Sequence, residues 1–91
     1  MSQPADIVVY TTTTCPYCIR AKALLKERGL AFEEIAVDES PEARAQMTTR
    51  AGGRRTVPQI FFGDRHIGGC DELHALDATG ELETALADAA R

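Results

Sequence analysis

Several features are scarce in this sequence, and each shortage excludes a class of protein. No apolar run approaches the roughly 20 residues that a membrane-spanning helix needs, so we expect no membrane segment. Basic residues number 10 against 14 acidic ones, whereas nucleic acid binding usually requires a basic excess. Three cysteines without a secretory signal do not describe a disulfide scaffold. We therefore expect a cytoplasmic protein that binds neither membrane nor nucleic acid.

What remains is the composition of an ordinary globular protein. The chain has 91 residues, of which 44% are hydrophobic and 26% are charged. This length allows one modest core and not two, so we predict a single domain over residues 1–91. Arg50, Arg54 and Arg55 form a local basic cluster, which suits a small anionic ligand, with solvated loop arginines as the alternative.

Short apolar segments alternate with segments rich in helix-forming residues. The predicted strands are residues 6–10, 31–37, 56–62 and a short one around 66–67. The predicted helices are residues 16–28, a second one after the cap residue Ser40, and a third from Cys70 that breaks near Gly80. The strand–helix–strand start favours a parallel crossover, and the last two strands favour a hairpin. The sequence thus predicts an α/β protein with a four-stranded mixed sheet and helices on both faces, compatible with a thioredoxin-like fold.

Cys15 and Cys18 lie where the first predicted strand gives way to the first helix. The unpaired N–H groups and partial positive charge of a helix N-terminus stabilise a thiolate, which is the reactive form of cysteine. We therefore predict that Cys15, just before the helix, is a nucleophile. Cys18, one turn further along and less exposed, would attack a mixed disulfide formed on Cys15. Pro16 fits the first helical turn, where its missing N–H costs no hydrogen bond.

Half of a zinc site is the structural alternative for this pair. A closed zinc site needs four ligands, and the other cysteine and histidine residues are His66, Cys70 and His74. The sequence has no second C-x-x-C, so the strand–helix context favours redox chemistry. A purely structural disulfide is less favoured, because so short a loop removes little chain entropy.

Three motifs, in order, resemble those of the dithiol glutaredoxins, most closely the bacterial glutaredoxin 3 type. They are TCPYC at residues 14–18, TVPQIF at residues 56–61 and IGGCDEL at residues 67–73, and the likeness covers nearly the whole chain. The resemblance implies a glutathione-dependent thiol–disulfide oxidoreductase that uses Cys15 and Cys18 to reduce protein disulfides and glutathione mixed disulfides. It implies no bound cofactor, with glutathione as co-substrate and with disulfide-containing or glutathionylated proteins as partners. Nothing in the sequence suggests more than a monomer.

The resemblance also implies a glutathione site. In the family, the proline at position 58 is cis, and the N–H and C=O of Val57 would pair with the cysteinyl backbone of glutathione. The γ-glutamyl carboxylate would bind the backbone of Cys70 and Asp71, at a helix N-terminus where Gly69 permits close approach. The full implied set is Tyr17, Arg54, Thr56, Val57, Pro58, Gly69, Cys70 and Asp71.

Individual members of this set have assigned roles and plainer alternatives. The Asp71 carboxylate would face the ligand's ammonium group, or Asp71 could simply cap the helix. Arg54 would bind the glycyl carboxylate, and Thr56 is a weaker contact. Tyr17 would pack on the glutathione, or cover the core. For Cys70 we favour packing over a redox role.

One position departs from the family pattern. Many relatives carry a lysine shortly before C-P-Y-C, whereas this chain has Thr12 and Thr13. Without that positive charge, the helix N-terminus must supply more of the stabilisation of the thiolate.

Two other functions stay open at this level. One is a dimer that holds an iron–sulfur cluster through Cys15 and two glutathiones, although Pro16 argues against it because cluster-binding relatives tend to lack that proline. The other is a thioredoxin-like donor that is reduced by a flavoprotein reductase or by another low-molecular-weight thiol.

Overall fold

A computed structural model describes residues 5–89. The elements within that range are four strands and four helices. In chain order they are β1 (Ile7–Thr11), α1 (Pro16–Glu27), β2 (Glu33–Ala36), α2 (Pro41–Arg50), β3 (Gln59–Phe62), β4 (Arg65–Gly68), α3 (Cys70–Ala78) and α4 (Leu82–Ala89). No helix in this range has both the length and the apolar character that a bilayer span requires.

The strands form one mixed sheet in the order β2-β1-β3-β4. The central strand β1 pairs in parallel with β2, as the predicted crossover requires, and antiparallel with β3. β3 and β4 form the predicted antiparallel hairpin. The mixed sheet expected from the sequence is therefore confirmed.

Alternation of side chains along the strands creates two apolar layers, one on each face of the sheet. Ile7 and Val9 of β1 pack with residues of α1, α3 and α4, whereas Tyr10 packs with Met47 of α2. In β3, Phe61 faces the α2 side while its two neighbours face the other. Helices thus cover both faces of the sheet, as predicted.

The predicted strand bounds need correction at two places. The second strand was expected over residues 31–37 and the third over residues 56–62, but β2 has only four residues and β3 begins at Gln59. Residues 56–58 form a loop instead, since Pro58 has no N–H to donate to a neighbouring strand and the carbonyl of Thr56 accepts a hydrogen bond from the Gln59 side chain.

Two glycines and a serine cap mark helix ends: Gly29 follows α1, Ser40 precedes α2, and Gly80 separates α3 from α4. α1 ends at Glu27 and is followed by Gly29 at a φ of 69°, a conformation that glycine adopts without steric cost. The break expected near Gly80 is present between α3 and α4, and Gly80 has a φ of 75°. Ser40 caps α2, its Oγ accepting a hydrogen bond from the N–H of Ala43 at 3.2 Å.

The Ser40 cap makes a stability prediction. Replacing Ser40 with alanine removes the acceptor for one unpaired helix N–H, so we expect a loss of about 1 kcal/mol in the free energy of unfolding, measured by urea denaturation. Ser40→Asp, which keeps an acceptor at the cap, should retain most of the wild-type stability. Equal urea midpoints for wild type and Ser40→Ala would show that the cap is not stabilising.

Candidate active site

Cys15 is the residue that caps α1. Its backbone is extended, with φ −108° and ψ 111°, and its Sγ accepts a hydrogen bond from the N–H of Cys18 at 3.2 Å. The side chain is partly exposed, and Pro16 follows it in the first helical turn. The predicted position of Cys15, just before the helix and reachable from solvent, is confirmed. A thiolate there would face unpaired helix N–H groups.

Cys18 lies one turn further along and is buried, with 1% of its surface exposed. Burial, reinforced by the hydrogen bond to the Cys15 side chain, raises the pKa of Cys18 to about 12. Cys18 is therefore a neutral thiol at neutral pH. All three cysteines belong to the described part of the chain and are free thiols.

The turn that leads into Cys15 is held by Asp38, in the loop that follows β2. The Asp38 carboxylate accepts hydrogen bonds from the backbone N–H of Thr13 at 3.1 Å and from its Oγ1 at 2.7 Å. These two hydrogen bonds lower the pKa of Asp38 below its ordinary value. Thr13 therefore ties the turn before Cys15 to the loop that follows β2.

A groove of about 270 Å³ lies beside the first turn of α1, with Tyr17, which lies between the two cysteines in sequence, in its lining. Its lining residues are Tyr17, Arg54, Thr56, Val57, Pro58, Gly69, Cys70, Asp71 and Glu72. The structure thus brings together all eight residues that the sequence assigned to a glutathione site. Val57 connects the groove to Cys15, since its carbonyl oxygen lies 3.8 Å from Cys15 Sγ.

The backbone of the groove is shaped by one proline and two glycines. The Val57–Pro58 peptide bond is cis, as the resemblance implied. A Cβ at Gly69 would lie 3.3 Å from the carbonyl oxygen of Pro58, so a side chain at residue 69 would push these two chain segments slightly apart. Gly68 has a φ of 120°, and a Cβ there would collide with the carboxylate of Glu72.

Glu72 is the groove residue that the sequence analysis missed. Its Oε1 accepts a hydrogen bond from the N–H of Gly69 at 2.8 Å and lies 3.3 Å from Nη1 of Arg54. The hydrogen bond from Gly69, followed by the contact with Arg54, lowers the pKa of Glu72. A glutamate at the third position of a helix often closes back on the cap residue, and that pattern could have identified Glu72.

Two further sequence-based expectations need correction: the identity of the α3 cap and the grouping of Arg50 with Arg54. Gly69 and not Asp71 is the cap of α3, so Asp71 lies in the first turn with an exposed side chain. Cys70 is buried, with 4% of its surface exposed, as expected for a packing role. Arg50 does not join Arg54 in the groove, since its guanidinium stacks on the Phe61 ring at 4.1 Å.

The side chains considered as zinc ligands are not grouped around a common point within residues 5–89. His66 lies against Phe61 with ring centroids 4.9 Å apart, and its Nε2 is 2.6 Å from Oε1 of Gln59. Among residues 5–89, no three His, Cys, Asp or Glu side chains are grouped in a way that could hold a metal ion.

Comparison with known proteins decides the family. Residues 7–67, about two thirds of the chain, match the family description "Glutaredoxin". This chain belongs to the glutaredoxin family. It is accordingly an oxidoreductase of the glutaredoxin type.

Glutaredoxins from bacteria are similar in sequence to this protein over most of its length. This glutaredoxin is 52% identical to glutaredoxin 3 of Escherichia coli K12 over 82 residues, which is 90% of this chain and 98% of that protein. It is 55% identical to a glutaredoxin of Pseudomonas aeruginosa over 80 residues, which is 88% of this chain and 94% of the relative. The likeness to the glutaredoxin 3 type that the motifs indicated is confirmed.

Solved structures confirm the thioredoxin-like fold. A buckwheat glutaredoxin in complex with glutathione superposes with a TM-score of 0.80 at 34% identity, covering 91% of this chain and 77% of that one. The holo form of glutaredoxin C1 from poplar (Populus tremula x tremuloides) gives a TM-score of 0.81 at 38% identity, covering 94% of this chain and 79% of the poplar protein.

The different burial of the three thiols predicts selective alkylation of this glutaredoxin. Iodoacetamide at pH 7 should modify Cys15 first, because the reagent reacts with accessible thiolates, whereas Cys18 and Cys70 are buried and burial raises the pKa of both. Peptide mass spectrometry after short exposure measures the site. In denaturant, as a control, all three cysteines should react. Labelling of Cys18 as fast as Cys15 in the native protein would contradict the described burial.

Proposed function

We propose that this glutaredoxin is a glutathione-dependent thiol–disulfide oxidoreductase that reduces glutathione mixed disulfides and protein disulfides. The observation that carries the proposal is the distance of 3.8 Å between Cys15 Sγ and the carbonyl oxygen of Val57, within a groove lined by the predicted ligand residues. A tripeptide thiol paired with the Val57 backbone would present its sulfur to Cys15. The crystal structure of the buckwheat relative with glutathione supports the same choice of ligand.

The first chemical step is a thiol–disulfide exchange. The Cys15 thiolate attacks the glutathione sulfur of a mixed disulfide, forming a Cys15–glutathione disulfide and breaking the bond to the target protein. The target sulfur leaves as a thiolate and takes a proton from water. The hydrogen bond from the N–H of Cys18 to Cys15 Sγ would stabilise the attacking thiolate.

The second step can follow two routes. A free glutathione thiolate can attack the glutathione sulfur held on Cys15, which yields glutathione disulfide and regenerates the Cys15 thiolate. When the bound partner is a protein, the Cys18 sulfur can instead attack Cys15 Sγ, losing its own proton and expelling the partner's thiolate. Because the pKa of Cys18 is about 12 in the free dithiol, we expect the glutathione route to dominate for small mixed disulfides.

Three parts of the groove would bind the charged ends of glutathione. The N-terminus of α3, at Cys70 and Asp71, offers backbone N–H groups to the γ-glutamyl carboxylate. The carboxylate of Asp71 would face the ammonium group. Arg54 would bind the glycyl carboxylate, but its guanidinium already contacts Glu72, so that ion pair must open or be shared.

The Cys15 and Cys18 roles predict different effects of two serine substitutions. Cys15→Ser should abolish turnover of a β-hydroxyethyl disulfide–glutathione adduct, because the nucleophile is lost. Cys18→Ser should retain this activity, because glutathione resolves the intermediate. The assay couples the reaction to glutathione and glutathione reductase and follows NADPH oxidation.

A parallel assay separates the alternatives. Thioredoxin reductase in place of glutathione and its reductase should give little turnover with the wild-type protein. Efficient reduction by thioredoxin reductase alone would favour a thioredoxin-like donor. Loss of activity in Cys18→Ser, with Cys15 intact and the protein folded, would contradict the proposed mechanism.

The contact between Glu72 and Arg54 predicts a gain of affinity on substitution. In Glu72→Gln the amide oxygen can still accept the Gly69 N–H, while the negative charge that competes with a ligand carboxylate for Arg54 is gone. We expect KM for the glutathione adduct to fall about two- to fivefold, the worth of an exposed ion pair, and to fall less at high salt.

Glu83→Gln, which removes a charge from an exposed position of α4 outside the groove, is the matched control and should leave KM unchanged. An increase in KM for Glu72→Gln would mean that Glu72 assists ligand binding instead of competing with it.

The remaining expectations stay predictions. We propose a monomer that acts in the cytoplasm without a resident cofactor. Size-exclusion chromatography with light scattering tests the oligomeric state. An absorbance spectrum after anaerobic purification tests the iron–sulfur alternative, since a cluster would colour the protein.

A further inference from the structure

Gln59 is a fully buried polar residue directly after the cis proline. It has no exposed surface, and all of its polar side-chain atoms have partners. Its Nε2 donates hydrogen bonds to the carbonyl oxygen of Thr56 at 2.9 Å and to Thr56 Oγ1 at 3.1 Å. Its Oε1 lies 2.6 Å from Nε2 of His66. A buried amide with such a set of partners holds the groups around it in one arrangement.

The carbonyl of Thr56 belongs to the same peptide group as the N–H of Val57. In a planar trans peptide these two groups point in opposite directions. Since the buried Gln59 binds the carbonyl oxygen, the N–H of Val57 must point away from Gln59, and Val57 itself lines the groove. The orientation of the Thr56–Val57 peptide plane therefore decides whether the Val57 N–H is available as a hydrogen-bond donor in the groove.

His66 in turn decides which way the Gln59 amide faces. Oε1 of Gln59 is an acceptor, so the nitrogen 2.6 Å away, Nε2 of His66, must carry hydrogen. The ring is held in place by stacking on Phe61. With Oε1 occupied by His66, the Gln59 NH₂ group is left facing Thr56, as observed.

We propose that Gln59 is a positioning residue for glutathione, aiming the N–H of Val57 into the groove, and that His66 fixes the orientation of the Gln59 amide. This inference rests on the proposed function. Neither side chain touches the ligand or the reacting sulfurs in this scheme. Both act through the Thr56–Val57 peptide group. The next carbonyl along the chain, that of Val57, has its oxygen 3.8 Å from Cys15 Sγ.

The test uses two variants of the full-length protein. Gln59→Met keeps the length of the side chain but cannot hold the Thr56 carbonyl. His66→Phe keeps a ring against Phe61 but cannot donate to Gln59. For the β-hydroxyethyl disulfide–glutathione adduct, we expect KM to rise about two- to tenfold in Gln59→Met, the effect of losing one hydrogen bond, and to rise less in His66→Phe, with kcat within about twofold of wild type.

A control substrate and a control variant distinguish a loss of glutathione positioning from a general loss of stability. Reaction of the reduced protein with 5,5′-dithiobis(2-nitrobenzoate), a disulfide without a peptide backbone, should proceed at the wild-type rate in both variants. Leu86→Ala, which removes a buried side chain of α4 that does not line the groove, should lower stability without raising KM. Long-range ¹H–¹⁵N NMR should show His66 protonated at Nε2.

The outcomes are distinct. A wild-type KM in Gln59→Met, an equal KM rise in Leu86→Ala, or His66 protonated only at Nδ1 would each overturn the inference while leaving the proposed function intact. Absence of glutathione-dependent turnover in the wild-type protein would remove the proposed function and this inference together.

Discussion

The hydrogen bond from the N–H of Cys18 to Cys15 Sγ is the interaction on which the proposed chemistry depends. It exists because a cysteine occupies the cap position of α1, where helices have N–H groups without internal partners. A serine or aspartate would satisfy the same geometry and give a more conventional helix start. In the proposed mechanism, sulfur at this position replaces an ordinary cap with a nucleophile, and the surrounding structure leaves Cys15 partly exposed.

The sheet brings three separate segments of the chain to this one point. β1 delivers Cys15, the loop before β3 delivers Val57, and β4 leads through Gly69 into α3. Because β1 and β3 are adjacent and β3 pairs with β4, the three connections emerge close together. Two helix N-termini, those of α1 and α3, then adjoin the same groove, and their partial positive charges would favour an anionic ligand there.

Local signals in the sequence predicted the elements and most of the groove, but not the contacts within it. The cap at Ser40, the glycine after α1 and the break near Gly80 each follow from the backbone preference of one residue. The eight groove residues came from motifs that resemble a known family. Glu72 and Gln59 escaped because their importance lies in partners distant in sequence or in backbone carbonyls, which periodicity does not report. Arg50 was grouped with Arg54 by proximity along the chain, yet it packs on Phe61.

The burial of Cys18 has a consequence for which sulfur atom can exchange electrons with other molecules. An outside thiol can reach Cys15 but not a sulfur with 1% of its surface exposed. A disulfide between the two could therefore be opened by a small reductant only at the Cys15 sulfur, with Cys18 as the leaving group. Oxidising and reducing partners would then both react at the Cys15 sulfur, one after the other. They could not be bound there at the same time.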